Sequence, residues 1–501
     1  MRKTREAPKL NKKIEQWIIE ADIMSMQKAM ECGETTSEQL VLIYLARIEQ
    51  YDKELKSVLE INPDAVAIAR ALDYERNERG SRGRLHGIPL LLKDNIGTHD
   101  RTHTSAGSIA LADWTPPEDS FLASKLRKAG AVLLGKTNMT EWANFMSPTM
   151  WAGYSSRGGL TLNPYGPGKL FVGGSSSGSA SAVAANLVAG AIGTETSGSI
   201  ISPSSQNCIV GIKPTVGLVS RSGIIPASVS QDTAGPMART VSDAAIILGA
   251  MTGVDASDSA TEASRDRYFQ DYTSFLITDG LKDARIGIPR GYYRDLDEAG
   301  LAIMEAAIAV LRDRGATIID PVKLPCEDED ASSNILQYEF KRVLNDYLSG
   351  LDATMPVHNL REVIQYNELH SDRALKYGKG TLEQLEKTSD SITDEVYAEQ
   401  LDKSRGRARN RGIDYVIEQH GLDALLFAGN HGTDVAAKAG YPLITVPAGY
   451  AATGVVAPGG YITNGPHGVT FSGTAFSEPT LIKLAYGFEQ ATKIRFPPDL
   501  S

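Results

Sequence analysis

Between Phe171 and Thr215 the chain reads FVGGSSSGSASAVAANLVAGAIGTETSGSIISPSSQNCIVGIKPT, and no other stretch limits the possible folds so tightly. Gly174-Ser175-Ser176-Ser177-Gly178 makes one serine-dense turn, and Thr196-Ser197-Gly198-Ser199-Ile200 makes a second. The small, apolar run from Ala180 to Ala191 lies between them and predicts a tightly packed buried helix. A helix flanked by two such loops can carry both to one site. Glycine lets backbone approach backbone and lets N–H groups point at a ligand. A flexible linker would be flanked by polar sequence, whereas Lys169–Val172 and Cys208–Ile212 are apolar and strand-like.

A serine hydroxyl becomes a nucleophile only beside a base. The candidate is Lys93. Ile88 to Leu92 is a short continuous apolar run that predicts a buried strand, and Lys93 sits at its end, before the turn formers Asp94 and Asn95. A lysine there usually turns to solvent; a buried one must be paired or lose its proton, and the unprotonated amine is what a general base needs. In that arrangement Ser199 attacks a carbonyl carbon, Ser175 relays the proton to Lys93, and the backbone N–H groups of Thr196, Ser197, Gly198 and Ser199 face the oxyanion. Activity is then expected to rise towards alkaline pH.

Three other patterns compete. Gly130 to Thr137, GAVLLGKT, matches the phosphate-loop pattern letter for letter, but the order is helix, turn, strand, and its variable positions are core residues rather than an exposed loop. Gly174 to Gly178 also fits the G-x-S-x-G nucleophile elbow, with Ser176 as nucleophile and His431 or His467 as partner in an esterase of the α/β-hydrolase type; that reading leaves the second serine loop unused. Cys208 lies in an apolar run and reads as core. Asp94 and Asp232 read equally well as orienting carboxylates or as turn residues.

Composition narrows the class. A chain of 501 residues with 42% hydrophobic and 22% charged residues is an ordinary globular protein, and a net charge of −10 argues against a nucleic-acid surface. Cys32, Cys208 and Cys326 offer neither a disulfide framework nor metal-ligand spacing, so no metal is expected. The basic start is interrupted by Glu15, Gln16, Glu20 and Asp22 before any signal-like apolar region, and runs such as Leu40–Ala46 are too short for a bilayer. The expectation is a cytoplasmic protein with no membrane partner.

In chain order, helices are expected over about 13–80: one from Lys13 to Glu31, one from the capping box Thr36-Ser37-Glu38-Gln39 to about Tyr51, and one from about Asp64 to Arg79. A core of about 81–250 follows, with Gly217 to Ile225 as strand and turn. The Gly-poor, charged segment of about 332–400 predicts a helical insertion that could cover the site as a lid. Strands at Ala424–Phe427 and Leu443–Val446 and a helix from Pro479 to Thr492 complete a C-terminal part of about 420–495.

Taken jointly, Gly173-Gly174-Ser175-Ser176-Ser177-Gly178-Ser179, Thr196-Ser197-Gly198-Ser199-Ile200, Gly211-Ile212-Lys213-Pro214-Thr215, Leu92-Lys93-Asp94-Asn95 and Gly135-Lys136-Thr137-Asn138 resemble the amidase signature family. The resemblance implies an α/β fold: a single α/β/α domain with a mixed central β-sheet flanked by helices. It implies hydrolysis of a C–N amide bond to carboxylate and ammonia through a serine acyl-enzyme, with no cofactor. By motif position Ser199 is the nucleophile, Ser175 the bridging serine in a cis peptide, Lys93 the base, and Thr196–Ser199 the oxyanion loop. The chain departs from much of the family where Asp, Gly and Arg are replaced by Glu195, Ser197 and Ile201. In this it is similar to the peptide amidase branch, as are Gly217-Leu218-Val219-Ser220-Arg221 and Gln231-Asp232-Thr233. The alternative within the family is the catalytic subunit of a glutamine-dependent, tRNA-linked amidotransferase acting with protein partners. No motif names the small amide or peptide amide that is the substrate, and none speaks to oligomeric state.

Overall fold

Pro89-Leu90-Leu91-Leu92-Lys93 has no polar side chain before its last residue, so it can lie only where both faces of a strand are covered. In the computed structural model, which describes residues 16–328, 335–387, 393–452 and 464–500, this strand is buried along its whole length. Thirteen strands occur among those residues. They are β1 (Val58–Ile61), β2 (Pro89–Lys93), β3 (Val132–Thr137), β4 (Tyr154–Ser155), β5 (Gly159–Leu160), β6 (Gly190–Glu195), β7 (Val210–Lys213), β8 (Thr233–Ala238), β9 (Arg285–Gly287), β10 (Thr317–Ile319), β11 (Ala424–Ala428), β12 (Leu443–Ala451) and β13 (Gly465–Ser472). β4 and β5 form a small hairpin, and the other eleven form one sheet in the order β1-β3-β2-β6-β8-β7-β12-β13-β11-β9-β10.

The sheet is mixed. β3, β2 and β6 run parallel, as do β11, β9 and β10, while the stretch from β6 through β8, β7, β12 and β13 to β11 is antiparallel. Helices flank it, with Ser177–Ala184 packed on β6 and β8, Ile201–Gln206 on β12 and β13, and Glu478–Thr492 on β12. The core is one large cluster running from Ile18 to Phe488. A second cluster joins Trp142, Met146 and Met150 to Phe340, Leu344 and Leu360 of the 332–400 segment. The described residues of that segment form helices at Ile335–Ser349, Leu360–Leu369, Ser371–Ala374, Gly380–Glu386 and the start of Asp394–Ala408, joined by turns.

Several sequence expectations change. The single helix expected from Lys13 to Glu31 is interrupted among the described residues: Gln16 and Trp17 are helical, a turn follows with Glu20 left-handed at φ 61°, and a separate helix runs over Ile23–Glu31, capped by Asp22, which accepts from the Ser25 N–H. Residues 13–15 lie outside the described chain. The Thr36 cap is as expected, accepting from the Gln39 N–H, but that helix runs on to Leu55. The buried helix expected over Ala180–Ala191 is Ser177–Ala184, and Gly190–Glu195 is strand β6. Small apolar residues fit either form; Asn186 at φ 57° breaks the helix, and pairing with β2 and β8 makes the strand. Gly217–Ile225 forms turns with isolated bridges rather than a strand.

The close packing near the first serine turn has a specific cause. A Cβ at Gly178 would lie 2.3 Å from the Ser57 carbonyl oxygen and 2.4 Å from that of Asn138, so only glycine lets the helix approach β1 and β3 this nearly.

Candidate active site

β2 ends at Lys93 beside β6, so the lysine side chain leaves the sheet next to Thr194. Lys93 is fully buried. Its Nζ lies 2.8 Å from Ser175 Oγ, 3.0 Å from the Thr194 carbonyl oxygen and 2.9 Å from Thr194 Oγ1. Asn95 Nδ2 donates to the same Thr194 hydroxyl at 3.0 Å. Burial pulls the Lys93 ammonium down to about 7, against the smaller opposing pull of the Asp232 and Glu195 carboxylates. An uncharged amine has two N–H groups and one lone pair, enough for two Thr194 oxygens and one serine O–H.

The two serine loops meet here. The Gly174–Ser175 peptide is cis. The Ser176 N–H donates to the Ser199 carbonyl at 3.1 Å, pinning one loop to the other. Ser175 is fully buried, and Ser199 is 7% exposed at the more open end. Gly198 turns the second loop at φ 78°. Along β6, alternate side chains face opposite ways: Thr194 turns to Lys93, and Glu195 turns to the helix Ile201–Gln206. The Glu195 Oε2 accepts the Ile200 and Ile201 N–H groups at 2.7 and 3.0 Å. A carboxylate at a helix start is favourable. It also occupies those two donors.

Asp232 braces the loop from the other side. Its Oδ1 accepts from Thr196 Oγ1 at 2.6 Å, and its Oδ2 accepts the Ala227 and Ser228 N–H groups, each at 2.7 Å. Asp94 points elsewhere, accepting from the Ser105 hydroxyl, the Gly107 N–H at 2.9 Å and Arg157 at 3.1 Å. Of the two carboxylates singled out in the sequence, only Asp232 touches the serine loops. Thr194 was not foreseen. Its one sequence signal is its place one residue before Glu195, on the opposite face of the same strand.

The competing patterns come apart in three dimensions. GAVLLGKT is largely the buried strand β3, and Lys136 Nζ is tied to Thr104 Oγ1 at 2.8 Å and to the Ile96 carbonyl. Ser176 Oγ donates to the Thr194 carbonyl at 3.0 Å and accepts the Thr194 N–H at 3.2 Å, two hydrogen bonds that fasten it to β6. His431 Nδ1 lies 2.8 Å from the Tyr292 carbonyl oxygen. Cys208 is buried, as expected for core. Among the described residues no group of His, Cys, Asp and Glu could hold a metal ion, and no helix is long and apolar enough to cross a membrane.

A cavity of about 220 Å³ opens beside the loops. Asn95, Thr194, Thr196 and Asp232 are among its polar lining residues, and Trp142 and Phe340 among its apolar ones.

A mixed sheet with helices around it, two interlocked serine loops and a buried amine on a serine hydroxyl define a hydrolase. The chain belongs to the amidase family, whose model matches residues 39–482, and it is an amidase, hydrolysing C–N amide bonds. It is 42% identical to a probable amidase of Arabidopsis thaliana over 96% of this chain and 92% of that protein. It is 42% identical to the native peptide amidase of Stenotrophomonas maltophilia, covering 96% of this chain and 99% of that one with a TM-score of 0.87. An amidase family protein from Bacillus anthracis is 41% identical, with a TM-score of 0.90 over 97% and 94% of the two chains.

Proposed function

We propose that this amidase acts on the C-terminal amide of peptides through Lys93, Ser175 and Ser199. Ser199 Oγ attacks the amide carbon, and its proton passes to Ser175 as Ser175 gives its own to Lys93 Nζ. The carbonyl oxygen becomes an oxyanion held by the N–H groups of Thr196 to Ser199. The C–N bond breaks, and the proton returns along the same path to the leaving nitrogen, which departs as ammonia. Water then attacks the Ser199 ester with the same relay, releasing a carboxylic acid and restoring the serine.

The observation that carries this reading is the 2.8 Å contact between Lys93 Nζ and Ser175 Oγ in a site from which water is excluded around the amine. A lysine poised near neutrality can take a proton at pH 7 and return it. Support for peptide amides comes from the likeness to the Stenotrophomonas maltophilia peptide amidase over nearly the whole of both chains. The amidotransferase reading is weaker on the same ground: a glutamyl-tRNA(Gln) amidotransferase subunit of Desulforudis audaxviator matches over a similar span at 32% identity.

The test is ammonia release from a panel of peptide amides, free amino-acid amides, aryl amides and fatty amides, with Ser199→Ala beside the parent. A fluorophosphonate adduct mapped by mass spectrometry should sit on Ser199. An adduct on Ser176, or unchanged turnover in Ser199→Ala, would overturn the assignment.

A further inference from the structure

Asn95 stands two residues beyond Lys93 and reads in the sequence as a turn former. In the structure its side chain has a second place. The chain turns after β2, with the Ile96 N–H on the Lys93 carbonyl at 2.9 Å, and the Asn95 carbonyl accepts the Ile225 N–H at 2.8 Å. Asn95 is 5% exposed. Its amide meets Thr194: Nδ2 donates to Thr194 Oγ1 at 3.0 Å, and Oδ1 accepts from the same hydroxyl at 3.4 Å. Nδ2 also reaches the Ile225 carbonyl at 3.5 Å.

Thr194 in turn touches the lysine, through its carbonyl at 3.0 Å and its hydroxyl at 2.9 Å. The carbonyl can only accept. The hydroxyl can accept an N–H or give its own proton, and the direction decides what Lys93 can do. An unprotonated amine has one lone pair, and two hydroxyls compete for it: Ser175 at 2.8 Å and Thr194 at 2.9 Å. If Thr194 gives its proton to Nζ, the lone pair is filled and cannot take the Ser175 proton. If Thr194 accepts, the two N–H groups of Nζ go to the two Thr194 oxygens and the lone pair faces Ser175. The Asp232 and Glu195 carboxylates act on Lys93 through space; the direct partners of its amine are Ser175 and Thr194.

We infer that Asn95 is a positioning residue for the base: its side-chain amide engages the Thr194 hydroxyl, with Oδ1 receiving the hydroxyl proton, so that the Lys93 lone pair is left for Ser175. The inference rests on the reading of Lys93, Ser175 and Ser199 given above.

The experiment measures how fast a fluorophosphonate labels Ser199 between pH 5 and 10, with the adduct located by mass spectrometry. The proteins, all of the full chain, are the parent, Asn95→Ala, Thr194→Val and the double variant. Labelling needs an activated serine but no particular amide, so the outcome does not depend on which substrate the enzyme prefers. Asn95→Ala is expected to lower the plateau rate about tenfold, the effect of one misdirected hydrogen bond. It should also move the rise with pH to lower pH, because a proton donated to the neutral amine favours that form. Valine at position 194 has no proton to misdirect, so in the Thr194→Val background Asn95→Ala should change the plateau by less than about twofold. A residue that merely packs would cost the same in both backgrounds. Asn95→Asp keeps the shape of the side chain and an acceptor for the Thr194 proton. It is expected to recover most of the loss, with the rise moved to higher pH by its negative charge, and it keeps the question answerable if Asn95→Ala does not fold. A tenfold loss that persists in the Thr194→Val background, a parent-like plateau in Asn95→Ala, or a plateau in Asn95→Asp as low as in Asn95→Ala overturns the inference. Lys93→Met is measured alongside. If it is labelled as fast as the parent, or if the parent's adduct lies elsewhere than on Ser199, the relay itself falls. If Lys93→Met is slow and the losses at Asn95 and Thr194 simply add, only the role of Asn95 falls.

Discussion

Lys93 Nζ and Ser175 Oγ are 2.8 Å apart although they are 82 residues apart in the chain. Burial brings Lys93 down to about 7, so its amine is charged below that pH and uncharged above it. Only the uncharged form can accept the serine proton. Activity should therefore climb as pH rises through about 7 and level off above it, read from kcat/KM between pH 5 and 9. Lys93→Met should lower kcat by about 10²–10⁴-fold, the usual worth of a general base. A flat profile over that range would rule Lys93 out as the base.

Stability should carry the same signature with its own sign. The unfolded chain keeps the Lys93 proton up to about 10.4, whereas the folded protein gives it up near 7, so the unfolded state binds more protons in between. The Lys93 contribution is thus least favourable below about pH 7 and improves as pH rises towards 10. Denaturant titrations of the parent and Lys93→Met at pH 6, 8 and 10 measure it: the advantage of the variant should shrink at each step.

Thr196 joins the second serine loop to Asp232 at 2.6 Å. Thr196→Val removes that bond and frees the loop that carries the proposed oxyanion donors. Small displacements of a reacting group can cost about 10²-fold. We expect kcat to fall by about 10–10²-fold with KM little changed, and Thr196→Ser to recover most of the loss. Full activity in Thr196→Val would mean that the hydroxyl bond to Asp232 is not needed, and a loss in Thr196→Ser as large as that in Thr196→Val would mean that the hydroxyl alone does not hold the loop.

Glu339 ties the helix Ile335–Ser349 to the loop before Asp232. Its carboxylate accepts from the Ser228 hydroxyl, from Ser230 Oγ at 3.0 Å and from the Tyr397 hydroxyl. Phe340, its neighbour, lines the cavity. Glu339→Ala strands buried donors and should cost about 1–3 kcal/mol in denaturant unfolding. It should also raise KM more than it lowers kcat, because the cavity wall loosens while the serine loops stay pinned. A selective fall in kcat would contradict that division of labour.

Gly178→Ala tests the packing under the first serine turn. The added Cβ would meet two backbone oxygens at 2.3 and 2.4 Å, neither of which can rotate away. Overpacking of this kind costs about 1–3 kcal/mol, to be read as a lower unfolding midpoint. Unchanged stability would show that the helix can shift away from β1 and β3.

Much of this molecule is legible in its sequence, and the legible parts share a property. The β2 strand, the Thr36 cap and the two serine turns are local statements: an apolar run, a hydroxyl three residues from an N–H, glycines that permit tight backbone. Spacing and residue type also single out Lys93, Ser175 and Ser199, because an amine at the end of a buried strand and serines in glycine turns are chemically unusual wherever they fall. What the chain could not declare depends on partners far away. Strand β8 contains Gly235 and Pro236, residues that weaken a strand interior, yet pairing with β6 and β7 makes it central to the sheet. Gly190 and Ala191 read as the end of a helix until β2 and β8 claim them for β6. Thr194 acquires its place at Lys93, 101 residues away, and Asp232 its place at Thr196, 36 residues away, only when β2, β6 and β8 lie side by side. Local preferences are set by neighbours along the chain. The pairing of strands, the burial that strips a lysine of its proton and the closing of a cavity are set by neighbours in space, and those exist only once the chain has folded.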